Sequence, residues 1–374
     1  MATKIITLES ANHSDAIREA AAMLSAGGLV VFPTETVYGV GACATLPDAL
    51  ERLRVLKART DGKPFTVHIG GKSAVHRFVP GLAGVSKRMV EKAWPGPLTI
   101  IFNVADPAAA DVIRESGPEF IPAMYYNGTI GIRCPDDAIA ADLLSQTARP
   151  VVAASANLAS NPAPTTAQEA LADLDGQVDL VLDGGRTRYN KASTIVSVDP
   201  TGYRVIREGV LDERMLQRLN RTTFLVVCSG NTCRSPMAQG LLRRLLAEKL
   251  GCREDELSEK GYHVESAGTG AYGGSPASPE AIAVLQAERG IDISEHRSQP
   301  VSLELINRAD YVFTMTWRQA QSVRAIAGSV EHRVSVVDDE DDIEDPIGGT
   351  KQEYSACAQQ IERALRRRLE EVLH

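Results

Sequence analysis

Short apolar runs alternate with amphipathic stretches along most of the chain, and their spacing predicts the secondary structure. Runs rich in β-branched residues predict strands, whereas apolar residues three and four positions apart predict helices. The predicted strands lie at 4–8, 29–32, 65–69, 129–133, 151–154, 193–196, 204–207, 224–227, 262–266, 311–315 and 333–337. The predicted helices lie at 16–26, 47–56, 237–250, 278–289 and 352–373, and another starts near residue 316. This alternation predicts an α/β protein, with a parallel sheet and right-handed crossovers in the last third.

Length, charge and hydropathy narrow the class of protein. A chain of 374 residues with 44% hydrophobic content predicts two or three globular domains. The net charge of −8 argues against nucleic-acid binding through bulk charge, so a contact with RNA needs a local basic patch. No apolar run reaches the roughly 18 residues of a membrane span, and the first residues lack the pattern of a signal peptide. We therefore expect no membrane association.

The cysteines indicate the redox compartment. There are six, at positions 43, 134, 228, 233, 252 and 357, and they are too few and too unevenly spaced for a disulfide scaffold. No spacing of Cys and His is typical of a zinc site. We therefore assign no metal ligands among the side chains and expect a reducing, cytoplasmic location.

The stretch 224–236, FLVVCSGNTCRSP, joins a predicted strand, a small polar loop and the start of a helix. The N–H groups of such a loop and of the helix N-terminus favour an anion such as phosphate. Arg234 can hold two phosphate oxygens with its planar guanidinium, and the same positive field favours the thiolate of Cys228. A buried cysteine beside a surface arginine is the alternative, and the Cys-x5-Arg-Ser spacing argues against it.

This stretch resembles the phosphate loop of the low-molecular-weight protein tyrosine phosphatase family, which implies a doubly wound parallel sheet for residues 222–374. In that family a cysteine attacks phosphorus, an arginine holds the phosphate, and the aspartate of an Asp-Pro pair is first the general acid and then the base for water. The resemblance assigns these three roles to Cys228, Arg234 and Asp345. The residues that would support the phosphate loop are Ser229, Gly230, Asn231, Thr232, Cys233 and Ser235.

Two loop residues bear on substrate and regulation. Tyrosine phosphatases of this family carry a bulky aliphatic residue at the position of Thr232 and aromatic residues after Asp-Pro, whereas this chain has Thr232 and then Ile-Gly-Gly at 347–349. The loop with Thr232 and the Asp-Pro-x-Gly-Gly stretch resemble those of the bacterial protein-arginine phosphatases. A threonine hydroxyl can also bond a guanidinium or the attacking water, whereas an aliphatic side chain favours an aryl ring. We expect a phosphoprotein substrate, with phosphoarginine ahead of phosphotyrosine, and no cofactor. Cys233 is close enough in sequence to close a disulfide with an oxidised Cys228.

Arsenate reductases share this fold and are a further alternative. They use downstream cysteines as a relay. Only Cys252 and Cys357 follow the loop, and they form no close pair in the sequence. We therefore do not predict arsenate reduction.

The first half places ligand-type residues next to predicted strands, where α/β proteins often bind ligands. Residues 33–39, PTETVYG, follow one strand, and residues 57–64, KARTDGKP, precede another. Cations along a loop favour a polyphosphate, with a solvated basic loop as the alternative. Arg133 and Arg207 lie near the ends of apolar strands. Because an unpaired buried charge is costly, these arginines indicate a concave site for anionic ligands.

In order and spacing, PTETVYG, KxR…KP, GIRCP, the SAN turn, STIV and IREG resemble the threonylcarbamoyl-AMP synthase family, the YrdC/Sua5 type, over about residues 3–212. The resemblance implies a twisted α/β sheet. It also implies synthesis of L-threonylcarbamoyl-AMP from L-threonine, bicarbonate and ATP, with release of pyrophosphate, for the t6A modification of tRNA. The residues implied for threonine are Thr34, His68, Arg133 and Ser193. The residues implied for ATP, with Mg²⁺, are Arg59, Lys63, Thr129, Ser155 and Arg207. Catalysis would rest on positioning and charge.

We therefore predict a YrdC/Sua5-like domain at 1–212, a linker at 213–221 and a phosphatase domain at 222–374. The tRNA-modification machinery would accept the product of the first domain. Two alternatives involve no turnover. The first half would bind double-stranded RNA or tRNA along the basic segment 52–63, or the second half would sense a phosphorylated ligand. A sensor predicts loss of the cysteine, arginine or aspartate of the phosphatase chemistry, and all three are present.

Overall fold

The chain forms two compact units, Met1–Asn220 and Arg221–His374. The computed structural model describes residues 2–9, 11–159, 161–199 and 202–372. Each unit has its own sheet and its own core. Within the described residues, no helix is long and apolar enough to cross a membrane.

The first unit is organised around one mixed sheet of ten strands. The strands are β1 (Lys4–Thr7), β2 (Val30–Phe32), β3 (Gly39–Cys43), β4 (Thr66–His68), β5 (Leu98–Asn103), β6 (Thr129–Arg133), β7 (Val151–Ser155), β8 (Leu180–Asp183), β9 (Thr194–Asp199) and β10 (Gly202–Arg207). Their order is β1-β8-β2-β3-β7-β4-β6-β5-β9-β10. The pairs β1/β8, β2/β8, β4/β6 and β5/β9 are parallel, and the other five are antiparallel.

Helices cover both faces of this sheet. They are α1 (His13–Ser25), α2 (Pro47–Leu56), α3 (Gly84–Ala93), α4 (Asp111–Ser116), α5 (Ile121–Met124), α6 (Ala138–Gln146), α7 (Ala167–Leu174) and α8 (Glu213–Asn220), with 3-10 turns at Lys72–Arg77, Pro107–Ala109 and Pro118–Phe120. Because successive side chains of a strand point to opposite faces, Val31 belongs to one core cluster, and Val30 and Phe32 belong to the other. Strands buried on both faces are therefore apolar throughout.

The second unit has a four-stranded parallel sheet in the order β12-β11-β13-β14, formed by β11 (Thr222–Cys228), β12 (Tyr262–Gly268), β13 (Tyr311–Thr314) and β14 (Val334–Val336). Its helices are α9 (Arg234–Leu250), α10 (Pro279–Arg289), α11 (Leu303–Arg308), α12 (Trp317–Ala327) and α13 (Lys351–Val372), with 3-10 turns at Glu254–Glu256 and Gly328–Arg333. Along β11, Phe224 and Val226 pack with α9, α10 and α13, whereas Leu225 and Val227 pack with α11 and α12. The central strand is thus buried on both faces.

The α/β class, the twisted mixed sheet and the doubly wound parallel sheet are confirmed. Strands β3, β5 and β8 were absent from the prediction. β3 reads Gly-Val-Gly-Ala-Cys, and its glycines hide the strand signal. A Cβ at Gly41 would lie 3.0 Å from the Phe32 ring and 3.2 Å from the Val151 side chain, so close packing of neighbouring strands accounts for this glycine. The segment predicted as a linker, 213–221, contains α8.

Candidate active sites

Arg133, at the end of β6, is the centre of a buried polar cluster in the first unit. Its Nη2 donates to the Thr36 hydroxyl at 2.6 Å, to Glu35 Oε2 at 3.0 Å and to the Thr34 hydroxyl at 3.3 Å. Side-chain exposure is 7% for Arg133 and 0% for Glu35. Thr34 also closes its own loop, because its Oγ1 donates to the Val37 carbonyl at 2.7 Å. The loop after β2 therefore wraps the guanidinium with two hydroxyls and one carboxylate.

Neighbouring strands bring three more of the predicted residues to this cluster. His68 pairs with Arg133 in the parallel register of β4 and β6. Thr99 on β5 pairs with Arg133 from the other side, and its hydroxyl lies 3.0 Å from the Ser193 hydroxyl. Arg207 Nη2 donates to the Ser193 carbonyl at 2.7 Å. Parallel and antiparallel pairing together thus place two arginines, a histidine and a row of hydroxyls at one end of adjacent strands.

The protonation state of His68 follows from its surroundings. Burial, reinforced by the positive charge of Arg133, lowers the pKa of His68 to about 3. The ring is therefore neutral near pH 7. Its Nδ1 lies 3.1 Å from the Thr66 carbonyl. Because a carbonyl only accepts, Nδ1 carries the hydrogen and Nε2 is left as an acceptor.

Lys57 fixes the turn that contains Ser155. Its Nζ donates to the Ser155 carbonyl at 2.9 Å, to the Asn157 side-chain oxygen at 3.3 Å and also to the Asn157 carbonyl. Burial lowers the pKa of Lys57 to about 8, against the opposing effect of Asp173. The lysine of the KxR segment thus orders the end of β7, where Ser155 lies.

Three of the predicted ATP residues, Arg59, Lys63 and Thr129, make no hydrogen bond to this cluster among the described residues, and two of them have contacts of their own. The Arg59 guanidinium stacks 4.8 Å from the centre of the Phe65 ring and donates to the Pro64 carbonyl at 3.3 Å. Lys63 is exposed. Thr129 donates to the Tyr126 carbonyl at 2.7 Å and begins β6, four residues and roughly 13 Å along the strand from the Arg133 end.

Four residues of the first site were not predicted from the sequence as site residues: Glu35, Thr36, Lys57 and Thr99. The first three lie inside the segments PTETVYG and KARTDGKP. The motifs therefore contained these residues but did not show which side chains in them form the site. Thr99 had no local signal, because its place depends on β5 lying between β6 and β9. Among the described residues, no group of three or more His, Cys, Asp or Glu side chains could hold a metal ion.

The second site is the loop between β11 and α9. Cys228 ends β11, and its Sγ accepts the Asn231 backbone N–H at 3.2 Å and lies 3.0 Å from the Ser235 hydroxyl. The Ser235 oxygen accepts a hydrogen bond from the Asn231 side chain at 2.8 Å. Its own hydrogen can point at sulfur, which lies closer than the other acceptor, the Ala267 carbonyl at 3.4 Å. Both donors stabilise negative charge on Cys228.

Asn231 holds the loop in shape. Its backbone has a φ of 55°, which Asn tolerates better than most residues. Its side chain donates to Ser266 at 3.0 Å and accepts the Gln299 backbone N–H at 2.8 Å. His296 Nε2 donates to its carbonyl at 2.8 Å. Asn231 is completely buried, so these bonds are shielded from water.

Arg234 and Asp345 form an ion pair beside this loop. Arg234 Nη2 donates to Asp345 Oδ2, and Nη1 donates to the Ile343 carbonyl at 2.9 Å. Arg234 is almost fully buried, whereas 37% of the Asp345 side chain is exposed. The arginine Nε is buried without a partner. The predicted general acid, Asp345, and the predicted phosphate-binding residue, Arg234, thus lie together, and Asp345 is the more exposed of the two.

The remaining loop residues face different neighbours. The Ser229 hydroxyl accepts from Gln319 Nε2 at 3.0 Å. The Thr232 hydroxyl lies 3.7 Å from Cys233 Sγ, which also lies 3.4 Å from the Tyr354 hydroxyl. Burial, followed by the Cys233 contact, raises the pKa of Tyr354 to about 12. All six cysteines are free thiols, so the Cys228–Cys233 disulfide stays a prediction.

Comparisons with known proteins divide the chain in the same way. The Sua5/YciO/YrdC family model, described as telomere recombination, matches residues 22–209. The model of low molecular weight phosphotyrosine protein phosphatases matches residues 223–374. The threonylcarbamoyl-AMP synthase of Bacillus subtilis (strain 168) is 32% identical over 212 residues, which are 57% of this chain and 58% of that protein. The chain therefore spans less than two thirds of that relative.

Two further similarities concern one unit each. The probable low molecular weight protein-tyrosine-phosphatase EpsP of Ralstonia solanacearum is 48% identical over 103 residues, which are 28% of this chain and 61% of that protein. The crystal structure of P. abyssi Sua5 complexed with L-threonine has a TM-score of 0.51 at 22% identity and covers 71% of this chain and 92% of that one, which supports the fold. The chain belongs to the Sua5/YciO/YrdC family and carries, after that domain, a domain of the low molecular weight phosphatase family.

Proposed function

We propose that the first unit makes L-threonylcarbamoyl-AMP from L-threonine, bicarbonate and ATP, with release of pyrophosphate. The observation that carries this proposal is the buried guanidinium of Arg133, which bonds the hydroxyls of Thr34 and Thr36. Arg133 also pairs in register with Thr99, whose hydroxyl contacts that of Ser193. Such a site suits a small ligand that has both a carboxylate and a hydroxyl. The product would serve the t6A modification of tRNA. The similarity to threonylcarbamoyl-AMP synthases supports this choice of reaction.

Within this proposal, each threonine ligand has a distinct task. Arg133 binds the carboxylate of the amino acid. His68 Nε2 accepts the hydrogen of its hydroxyl, which the neutral ring permits. Thr34 and Ser193 supply further hydroxyls, already ordered by Val37 and Thr99. The pocket is therefore pre-organised, which lowers the entropy cost of binding.

ATP would bind through the cations next to this pocket. Arg207 lies against Ser193, and Lys57 orders the turn of Ser155. Arg59 and Lys63 lie on a loop that can follow the triphosphate. Mg²⁺ would arrive with ATP, since this ion is commonly held by substrate phosphates and only one or two carboxylates, and it would offset phosphate charge. Cations around the phosphates stabilise the charge that develops as pyrophosphate leaves.

A pyrophosphate-release assay tests the first proposal. Purified chain is incubated with ATP, magnesium and bicarbonate, with and without L-threonine. We expect release that requires threonine and bicarbonate together. No release, combined with salt-sensitive binding of RNA, would replace this proposal with the RNA-binding alternative.

We propose that the second unit hydrolyses phosphate esters or phosphoramidates of proteins through a phosphocysteine. Cys228 attacks phosphorus while Asp345 protonates the leaving atom, and Asp345 then takes a proton from the attacking water. Arg234 Nε, buried and unpartnered, is the donor available for a phosphate oxygen. The hydrogen bonds to Cys228 Sγ carry this proposal, because a buried structural thiol would not need them.

Cys228→Ser tests the phosphatase proposal. Serine keeps the size of the side chain but is a far weaker nucleophile, so hydrolysis of an aryl phosphate should disappear. Cys252→Ser is the matched control on a half-buried thiol outside the loop. Hydrolysis that survives in Cys228→Ser would exclude a phosphocysteine. Tight phosphate binding by a wild-type chain without turnover would favour the sensor alternative.

For the substrate we propose protein phosphoarginine, with phosphotyrosine as the second candidate. Thr232 favours the first, because its half-buried hydroxyl can bond a guanidinium or the attacking water. The similarity to EpsP favours the second. Phosphoarginine and phosphotyrosine peptides assayed side by side decide between them. Thr232→Ile should shift the ratio of the two rates towards phosphotyrosine, and an unchanged ratio would exclude Thr232 as the specificity residue.

A further inference from the structure

The ion pair between Glu35 and Arg133 has one unused acceptor and one unused donor. Glu35 Oε2 is bound to Arg133 Nη2 at 3.0 Å, but Oε1 is buried and has no hydrogen-bond partner. Arg133 Nε is also buried without a partner. Such orphaned polar atoms are rare in folded proteins, and each one needs a partner, which a ligand, an ion or a water can supply.

The surroundings leave the carboxylate of Glu35 in place. The backbone of this residue is fixed, because its carbonyl accepts the Tyr189 N–H at 2.9 Å. On either side of Glu35, the hydroxyls of Thr34 and Thr36 bind the same guanidinium nitrogen. Arg133 therefore stays paired without help from Oε1, which remains free for another donor.

An α-amino acid matches the two unused groups. It carries a carboxylate, which needs a donor, and an ammonium group, which needs an acceptor, on the same carbon atom. Laid against the ion pair, the zwitterion would place its negative end on the arginine and its positive end on the glutamate. The dipole of the ligand would then oppose that of the ion pair, which is the favourable alignment of four neighbouring charges.

We propose that Glu35 is the ammonium-binding residue of the first unit and makes the site selective for an amino acid over the corresponding hydroxy acid. The inference rests on the proposed function and deepens it, because a carbamoylated product requires an amine as substrate. A site built to pair a charged group rejects the analogue that lacks this group, since the buried oxygen then has no donor. Glu35 therefore sets specificity through a group that the reaction must use.

Binding of two ligands tests this inference. L-threonine and (2S,3R)-2,3-dihydroxybutanoate, in which a hydroxyl replaces the amine, are titrated calorimetrically into the full chain. The proteins compared are wild type, Glu35→Gln and Glu35→Asp. The amide of glutamine still accepts a hydrogen bond from Arg133 but loses the charge and presents an N–H₂ donor. Aspartate keeps the charge on a shorter side chain.

We expect wild type to prefer threonine by roughly 100-fold, and Glu35→Gln to bind threonine about 10- to 100-fold more weakly, with little change for the hydroxy acid. Glu35→Asp should retain part of the preference. Equal weakening of both ligands in Glu35→Gln would mean a purely structural role and overturn the inference. Equal affinity of wild type for both ligands would overturn it without reference to any variant, including one that fails to fold.

The same titrations separate this inference from the proposed function. A wild-type chain that prefers threonine but releases no pyrophosphate supports the ammonium subsite and overturns only the proposed synthesis. A wild-type chain that binds no threonine overturns both.

Discussion

Residues 228–235, eight in succession, contain the proposed nucleophile, two groups within hydrogen-bond distance of its sulfur, and the arginine proposed to bind phosphate. The arginine cluster of the first unit instead takes Thr34 from one loop, Thr99 and Arg133 from two strands, and Arg207 from another. Both sites hold a buried guanidinium beside a carboxylate. The site of the second unit is local in sequence, whereas the site of the first unit is assembled by the sheet.

The difference determines what each site depends on. A loop between strand and helix directs its own N–H groups at an anion, so its binding groups come from one stretch of sequence, although Ser266, His296 and Gln299 support its shape through Asn231. A cluster assembled from separate strands and loops exists only if the strand order and register are correct. We therefore expect a substitution at Arg133 to affect the whole first unit. Substitutions around Cys228 should affect the loop and the residues that support it.

The largest expected effect is that of Arg133→Met. It leaves Glu35 buried without a partner, so the free energy of unfolding of the first unit should fall by about 3–5 kcal/mol. Threonine-dependent pyrophosphate release should fall by about 10²- to 10³-fold. Denaturant unfolding measures the free energy of unfolding, and the pyrophosphate-release assay measures the activity.

Two matched variants interpret that result. The double variant Arg133→Met/Glu35→Gln should recover part of the stability and none of the activity, because it removes the stranded charge but not the need for an arginine. Arg188→Met removes an exposed arginine paired with Asp136 and should change neither quantity. If the single variant is as stable as wild type, the ion pair does not anchor the unit.

Asn231→Ala is expected to have the next largest effect. It removes three side-chain hydrogen bonds of about 1 kcal/mol each and places alanine at a positive φ, so the second unit should lose about 3 kcal/mol or more. Asn231→Gly tolerates the same φ and should be about 1 kcal/mol more stable than the alanine variant. Denaturant unfolding compares them. Equal stability of the two variants would mean that the left-handed backbone is not strained.

His68→Gln probes the first site through pH. The pKa of His68 is about 3 in the folded chain against 6.5 for an unperturbed histidine. The unfolded state therefore binds more protons between pH 3 and 6.5, and stability falls as the pH is lowered through this range. The loss from this residue should be about 2 kcal/mol at pH 5 relative to pH 7.5.

The pH dependence of unfolding checks this expectation. His68→Gln should flatten the dependence of the first unit, whereas the exposed His76→Gln should leave it as in wild type. An unchanged slope in His68→Gln would show that the folded ring takes up a proton in this range.

The smallest expected effect is that of Ser229→Ala. This change removes the 3.0 Å hydrogen bond from Gln319, which links the loop to α12. If the loop is self-contained, the second unit should lose at most about 1 kcal/mol, and hydrolysis of an aryl phosphate should change only a few-fold. A loss of activity well beyond a few-fold would show that the phosphate loop depends on α12 and would contradict the contrast with the first site.

Much of this fold was predictable because strands buried on both faces are continuous apolar runs, as in 224–227. β3 was not, since two of its five residues are glycines that only the contact with Phe32 explains. Strand order was also out of reach. Nothing local in the sequence places β5 between β6 and β9.

The two sites also differ in how much of each could be predicted from the sequence. Cys228, Ser235 and Arg234 could be placed together from the sequence, because one loop contains them all, and their roles stay predictions. Thr99 could not, and Glu35 could not be separated from its neighbours without knowing that Arg133 lies against it. Asp345 is intermediate. Its dipeptide was recognisable, but its pairing with Arg234 depends on the fold.

The ion pair of Arg234 and Asp345 has a consequence for turnover. A phosphate that uses Nη2 as well as the unpartnered Nε must displace the aspartate, so under the proposed chemistry the carboxylate competes with substrate and with the inorganic phosphate that would be the final product. Part of the attraction of the arginine is therefore offset for product and substrate alike. We expect this built-in competitor to weaken product inhibition and to speed release of the product. Once a phosphate has displaced it from the arginine, the carboxylate can take up a proton from solvent and then act as the general acid for the leaving group.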